Sequence, residues 1–376
     1  MSGSERLSTN RRSVLRGAGV GAVAIATSSF IPSAVAEEPD ELAGKVVFIY
    51  DDSPREDYTK AFPVHQEYGV PGCAAVCPGL IGTTSAWLRP DELEEMYDAG
   101  WEVMSHSLIH RALGEIPVLG DIEADDSKIH VDSNLHGTHA GDPIVIFDGS
   151  NEATATVVGR SEEDDEDYIL LEEPIGTAFE AGDGTQTWVR YTDEFTQEIL
   201  EESKQKIEDW GFGPVTAYVH TYNRYDGYVS EVAPEYYDTI PNRRRDPLNP
   251  TFEPDPFELG RVNFEDNKLD QSELIDMLDL VANEPYFGII YGHSNYDAFT
   301  QDRIAKTIEL CQERNIEIVT LQSALAGVGV LDEDQIRRDN SGSTTTDTSL
   351  SPFEGITAAV QDMFASIRDR MAALFG

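Results

Sequence analysis

The sequence predicts a parallel α/β fold interrupted by a small all-β insertion. Apolar strand-like runs alternate with amphipathic helical stretches from Gly44 onward. The rhythm breaks between residues 118 and 191, where short alternating runs are separated by Gly, Asp and Asn. It resumes at Asp193 with a long amphipathic segment.

The elements follow in order. "KVVFIY" (45–50) reads as a buried strand, and "REDYTKAFPVHQEYG" (55–69) as a helix with Pro63 inside it. "GCAAVC" is strand-like. "RPDELEEMYDAG" is helical, opened by Pro90 and closed by Gly100. "WEVMSHS" returns to strand. The insertion contributes "KIHVDS", "PIVIF", "TATVVG", "YILLEE" and "TWVRY", with the acidic turn "SEEDDED" among them, and is expected to be a barrel or sandwich. "DEFTQEILEESKQKIEDWGF" is a helix and "VTAYVHT" a strand, followed by an irregular Pro-rich stretch from Pro234 to Asp266. "QSELIDMLDLVANE" (helix), "YFGIIYGH" (strand), "QDRIAKTIELCQERN" (helix) and "IEIVTL" (strand) complete the core.

The flanks read differently. Residues 1–36 have the pattern of a twin-arginine signal: Arg11-Arg12, an uncharged Gly/Ala/Ser-rich run, and the small-x-small site Ala34-Val35-Ala36. Export to the cell surface or medium is the expectation. Residues 37–117 and 192–330 form the α/β part and 118–191 the insertion. Residues 331–351 read as a polar linker. Residues 352–376 carry Phe353, Ile356, Val360, Met363, Ile367, Met371 and Leu374 at helical spacing. That amphipathic helix docks on its own domain or makes surface or membrane contact.

The formal charge is −43, from 70 acids against 27 bases, while 40% of the residues are hydrophobic. The acids are spread along the chain rather than confined to a tail, which suits a high-salt medium that screens their repulsion and points to a halophile. The charge argues against nucleic-acid or anionic-membrane binding through a basic patch. Cys73 and Cys77 lie about 13 Å apart at strand rise, too far to bridge, so buried thiols are expected.

Polar groups collect where the strands end. Asp51 and Asp52 close the first strand, His106 closes "WEVMS", and His110 follows within "HSLIH". The four-residue spacing is one helical turn, which would aim both imidazoles to one side. Tyr222 is expected to close the strand "VTAYVH", and His293 to close "FGIIYGH". Parallel α/β folds place function at this carboxyl edge. One carboxylate and two imidazoles suit a divalent transition metal, most simply zinc, with open positions for water and substrate. The other carboxylate suits a base and the late histidine an acid. His136 and His139 in "LHGTH" lack an acidic or Cys partner at fixed spacing and read as loop residues. His65 is expected to face solvent, and Trp87, Tyr222 and Trp188 are expected to be buried or to stack on sugar rings.

These residues resemble the polysaccharide deacetylases of carbohydrate esterase family 4. "IYDDSP" is similar to that family's first motif, Thr-Phe-Asp-Asp-Gly-Pro. "HSLIH" matches its His-Ser/Thr-x-x-His motif, and "IIYGH" resembles its last. The resemblance implies a distorted (β/α) barrel with fewer than eight regular units. It implies Asp51 as general base, Asp52, His106 and His110 as ligands of Zn2+ or another divalent metal such as Co2+, and His293 as general acid. It also implies an N-acetylated glycan as substrate. The family's Arg-x-Pro-Tyr/Phe motif, whose backbone helps to form the oxyanion hole, has only "VHTY" (219–222) as counterpart, without the Arg or the Pro. The Asp-containing motif that ends in Trp has no clear counterpart. Arg261 in "ELGRVNF" is the candidate for the missing guanidinium beside Asp51. Two other readings stay open on the same fold: a non-catalytic carbohydrate-binding or cell-surface protein, and a hydrolase of another non-peptide C–N bond.

Overall fold

The computed structural model describes residues 44–181, 186–332 and 335–336. The expected signal segment and C-terminal helix, with most of the linker, lie outside the described residues. Among the described residues no helix is long and apolar enough to cross a membrane.

The chain opens with β1 (Lys45–Tyr50), α1 (Phe62–Tyr68), β2 (Cys73–Val76), α2 (Pro90–Asp98) and β3 (Glu102–Ser105). The expected single helix over 55–69 is instead a π-helical turn, Asp57–Ala61, followed by α1. Pro63 sits in the first turn of α1, where its missing N–H costs nothing, so it starts a helix rather than kinking one. Gly69 closes α1 with a left-handed φ of 67°. His65 corrects the sequence expectation, because it is fully buried rather than solvent-facing. Its Nε2 lies 2.7 Å from the Tyr50 hydroxyl and its Nδ1 3.0 Å from the Pro71 carbonyl. Both ring nitrogens are thus satisfied in an aromatic layer with Phe48 and Trp101, and burial holds the pKa down at about 4.

The insertion comprises β4 (Ile116–Pro117), β5 (Lys128–Val131), β6 (Pro143–Phe147), β7 (Glu152–Glu163), β8 (Glu166–Leu171) and β9 (Trp188–Tyr191). They form an antiparallel sheet in the order β4-β9-β6-β7-β8-β5. A further antiparallel bridge, Val118 to Val131, joins the two ends and closes a small barrel. Its interior holds the inward half of each alternation: Ile129, Ile144, Ile146, Val157, Ile169 and Val189 are all fully buried. Closure removes the sheet edges that would otherwise invite pairing with another chain.

The α/β part resumes with α3 (Asp193–Asp209), the short α4 (Tyr228–Val232), β10 (Leu248–Pro250) and β11 (Val262–Asn263). Next come α5 (Gln271–Asn283), β12 (Tyr286–Gly292), α6 (Gln301–Glu313), β13 (Glu317–Ile318) and α7 (Leu321–Gly327). The start of α5 shows why the helices begin where they do. Asp270 accepts from the Ser272 and Glu273 amides while Glu273 accepts from the Asp270 amide, a reciprocal capping box. The expected last strand, "IEIVTL", pairs only at its first residues, because Thr320 caps α7 instead.

β12, β1, β2 and β3 lie side by side and parallel. Past β3 the ring continues through shorter pairings. Ser105 bridges Tyr218, Ala217 bridges Thr239 and Arg244 bridges Gly260, all parallel, and β11 then pairs with β12. The sheet thereby closes into a distorted (β/α) barrel. Strand alternation gives it two cores. Val47, Ile49, Cys73, Ala75, Met104, Ala217, Val219, Leu259, Phe287 and Ile289 form the inner cluster, joined by Leu321, Ala324 and Leu325 of α7. Val46, Phe48, Tyr50, Ala74, Val76 and Tyr218 face outward into the larger cluster with the helices.

A candidate metal centre at the carboxyl rim of the barrel

The same alternation delivers the functional side chains. Asp51 continues the inward series Val47–Ile49, and His106 continues from Met104. Arg261 continues from Leu259, and His293 from Phe287, Ile289 and Tyr291. His220 also ends a strand but is out of phase with Val219. It packs against Tyr218, ring centroids 4.9 Å apart, and takes no part in the site.

Asp52 is out of phase as well, on the outward parity of Tyr50. The backbone corrects this. Asp52 and Ser53 both adopt left-handed φ angles, 78° and 66°, which turn the chain and bring the Asp52 carboxylate back over the barrel mouth. The sequence expectation of a helical turn in "HSLIH" is also corrected: residues 107–110 form a non-helical turn with φ of 64° at Ser107 and 63° at His110. Tyr222 does not end a strand but lies in a 3-10 turn, with φ of 56°. Non-glycine residues in this region carry strain, and here they gather around one point. The ligand turn is seated on Gly79, whose amide donates to the Leu108 carbonyl at 2.7 Å and where a Cβ would meet Ile109 at 2.4 Å. Ser53 Oγ accepts from the Cys77 amide, 2.7 Å, and Cys77 Sγ lies 3.0 Å from the His106 carbonyl, so the two motif loops are stitched together.

Asp52, His106 and His110 each offer a ligand atom, all within 4.8 Å of one another, the only such group among the described residues. Asp52 Oδ1 lies 3.2 Å from His106 Nε2 and 2.9 Å from His110 Nε2. His106 Nδ1 donates to the Val219 carbonyl at 2.7 Å, and His110 Nδ1 lies 3.1 Å from the Tyr222 hydroxyl. Since a carbonyl only accepts, a neutral His106 must present a lone pair at Nε2, facing a carboxylate oxygen. A proton on Nε2 or a metal cation can occupy the gap between the two, and a donor set of one carboxylate and two imidazoles fits a divalent metal. Burial works against the charge on Asp52, but its bonds to the two histidines outweigh that and hold its pKa well below the usual carboxylate range.

Two carboxylate–cation pairs flank this cluster. Arg261 donates from both terminal nitrogens to Asp51, at 2.8 and 2.6 Å, and both side chains are buried. Burial favours the neutral acid at Asp51, but the guanidinium lowers its pKa nonetheless. Tyr291 backs the arrangement, its ring 3.8 Å from the Arg261 guanidinium carbon.

The second pair was not read from the sequence. Glu265 Oε1 accepts from the His293 amide at 3.0 Å and lies 2.8 Å from His293 Nδ1, leaving Nε2 4.0 Å from Asp52 Oδ2. Burial alone would lower the His293 pKa, but Glu265, with Asp51 and Asp52, raises it. The only sequence signal for Glu265 is an acid four residues after Arg261, in "RVNFED", which is weak without the fold. Tyr296, also unforeseen, stacks on His293 with centroids 4.9 Å apart and is 46% exposed; Tyr222 lies against His110 at 4.5 Å and is 49% exposed. Trp87 and Trp188 are half-buried, and His136 is buried in the insertion with its ring 4.5 Å from that of Tyr191.

The closed (β/α) barrel thus carries at its carboxyl rim an Asp-His-His cluster flanked by the Arg261–Asp51 and His293–Glu265 pairs. Residues 39–133 match the polysaccharide deacetylase family model, a segment that includes Asp51, Asp52, His106 and His110 and ends before Tyr222, Arg261 and His293. No curated protein matches the chain. Among solved structures, a family 4 carbohydrate esterase from Streptomyces lividans in complex with acetate is similar at 11% identity and a TM-score of 0.41, covering 76% of this chain and 95% of that one. A peptidoglycan deacetylase from Bacillus subtilis is similar at 10% identity and a TM-score of 0.41, with coverages of 77% and 93%. A family 4 acetyl xylan esterase from Clostridium thermocellum, in complex with a cobalt ion, is similar at 11% identity and a TM-score of 0.40, with coverages of 75% and 90%.

Proposed function

We propose that this chain is an exported, metal-dependent hydrolase that removes N-acetyl groups from a polysaccharide. The observation that carries the reading is the convergence of Asp52, His106 and His110 between two ionised carboxylates with separate partners. Zn2+ or Co2+ held by these three residues would supply Lewis-acid polarisation of water and of the acetyl carbonyl. Asp51 is placed to take the proton of the attacking water. Each of its oxygens keeps a lone pair beyond the one Arg261 occupies. The Tyr222 amide has no acceptor among the described residues and supports a role as donor to the developing oxyanion. His293 Nε2 is placed to hand a proton to the departing amine, which is too basic to leave as an anion. Water and amide thus become acetate and free amine. The exposed rings of Tyr222 and Tyr296, one on each side, support sugar stacking. The twin-arginine pattern supports export after folding, to the cell surface or medium.

The test is metal titration of the purified chain in high salt, with acetate release measured on a panel of N-acetylated glycans. Wild type is expected to bind Zn2+ or Co2+ stoichiometrically and release acetate, and Asp52→Ala to lose both. Equal metal binding by the two proteins would sink the ligand assignment.

Glu265→Gln isolates the acid. Glu265 raises the His293 pKa, so its removal lowers it. Activity that depends on protonated His293 falls as pH rises through that pKa, so the alkaline limb of the pH–rate profile moves to lower pH in the variant. An alkaline limb that stays in place refutes the role of this pair.

A further inference from the structure

We infer that the inserted barrel sets the geometry of the metal ligands, through a buried clamp between Arg111 and Asp142; this rests on the reading of Asp52, His106 and His110 as ligands. Arg111 is the residue after His110. Its Nε and one terminal nitrogen donate to the two Asp142 oxygens at 2.6 and 2.9 Å. Asp142 belongs to the insertion, directly before β6, and the side chains of the pair are only 11% and 6% exposed. The guanidinium also lies 5.1 Å from the Phe195 ring centroid, at the start of α3. A bidentate fork fixes orientation as well as distance.

Both ends of the clamp are rigid. The Asp142 carbonyl accepts from the Val157 amide at 3.0 Å, which ties it to β7 of the inserted barrel. The Arg111 amide donates to Ser107 Oγ at 3.2 Å, and its carbonyl accepts from the Thr221 hydroxyl. Arg111 is therefore the point at which the ligand turn, the Tyr222 turn and the insertion meet. His110 needs such a restraint, because its left-handed backbone is a sparsely populated conformation that surrounding structure has to impose. The Tyr222 hydroxyl orients its ring, and the clamp holds its backbone. Asp142 and Arg111 are positioning residues, and neither touches the metal.

The experiment compares Asp142→Ala, the double variant Arg111→Met/Asp142→Leu, and Asp142→Glu with wild type. Zn2+ and Co2+ affinity, the visible absorption of the Co2+-loaded protein and thermal melting of the metal-free protein are read for each. The double variant replaces the ion pair by apolar side chains, a change that buried pairs commonly tolerate. It is expected to melt with the metal-free wild type, yet to bind metal about 10–100-fold more weakly with an altered Co2+ spectrum. Asp142→Ala shows the same loss, and Asp142→Glu recovers most of the affinity. Wild-type affinity and spectrum in the double variant would reduce the clamp to a structural staple and overturn the inference. Should neither the single nor the double variant fold, Asp142→Asn, which keeps one acceptor oxygen, decides on the same readouts: weakened metal binding supports the clamp and unchanged binding overturns it. A wild type that binds neither metal overturns the ligand reading along with this one, whereas intact wild-type binding with unaffected variants overturns this one alone.

Discussion

Asp51→Asn is expected to bind metal as wild type does and to lose about 10²–10⁴-fold in turnover, the range that positioned proton transfer contributes. The geometry separates the two effects. Asp51 is not among the convergent ligand atoms, and its oxygens face Arg261 instead. The substitution removes the carboxylate proposed above as the base for the attacking water. It also leaves the Arg261 guanidinium buried without its counter-charge, so a cost approaching the roughly 3–5 kcal/mol of a broken buried pair is expected in denaturation. Arg261→Met is the complement: it strands the Asp51 carboxylate, whose pKa then rises because burial is no longer opposed by the guanidinium. Metal titration, acetate release and chemical denaturation of the two variants separate these consequences. Wild-type turnover in folded Asp51→Asn would remove Asp51 from the mechanism.

Glu102→Gln is expected to stabilise the protein at alkaline pH and to leave it nearly unchanged near pH 4. Glu102 lies at the opposite, amino end of the barrel, buried among Cys73 and the start of α7. Its Oε2 accepts from the Gln322 amide at 2.8 Å, while its Oε1 has no hydrogen-bond partner among the described residues. Burial raises its pKa from 4.5 to about 7. A folded-state pKa above the unfolded one gives a contribution that is complete below about 4.5 and is lost as pH rises through about 7. The shift corresponds to roughly 3 kcal/mol by pH 8. Glutamine keeps the acceptor for the Gln322 amide and carries no charge, so the variant's advantage over wild type should grow across that window. Denaturation of both proteins at pH 4, 6 and 8 measures it, and parallel curves for the two would rule the explanation out.

Much of the site was legible because residue types and strand ends can be read from a single sequence, whereas local backbone conformation cannot. "DDSP", "HSLIH" and the final "GH" located the residues that the barrel gathers, since period-two alternation from strands such as Val46–Tyr50 can be read without a structure. The turns could not be read. Nothing in the sequence says that Asp52 must take a left-handed backbone to join the site, or that "HSLIH" is not a helical turn, because both follow from what the neighbouring strand ends impose. His65 was misjudged for a related reason: its helix looks polar in sequence, and only the tertiary placement against Tyr50 and Trp101 makes burial tolerable. Glu265 escaped notice because its partner His293 lies 28 residues away, at the end of a different strand.

The pairing of β4 with β9 has an evolutionary and practical corollary. Ile116 sits opposite Val189 in an antiparallel ladder, so the chain leaves for the insertion and comes back at points about 5 Å apart. A lodger attached by two neighbouring threads can be added or cut away without re-routing its host. Replacing the residues between β4 and β9 by a two-residue turn such as Asn-Gly is sterically reasonable. The excised protein is expected to keep the large barrel and forfeit Asp142, leaving Arg111 to the solvent. Domain shuffling at this position would therefore have cost little in folding, and its gain would have lain in what the newcomer does at the rim.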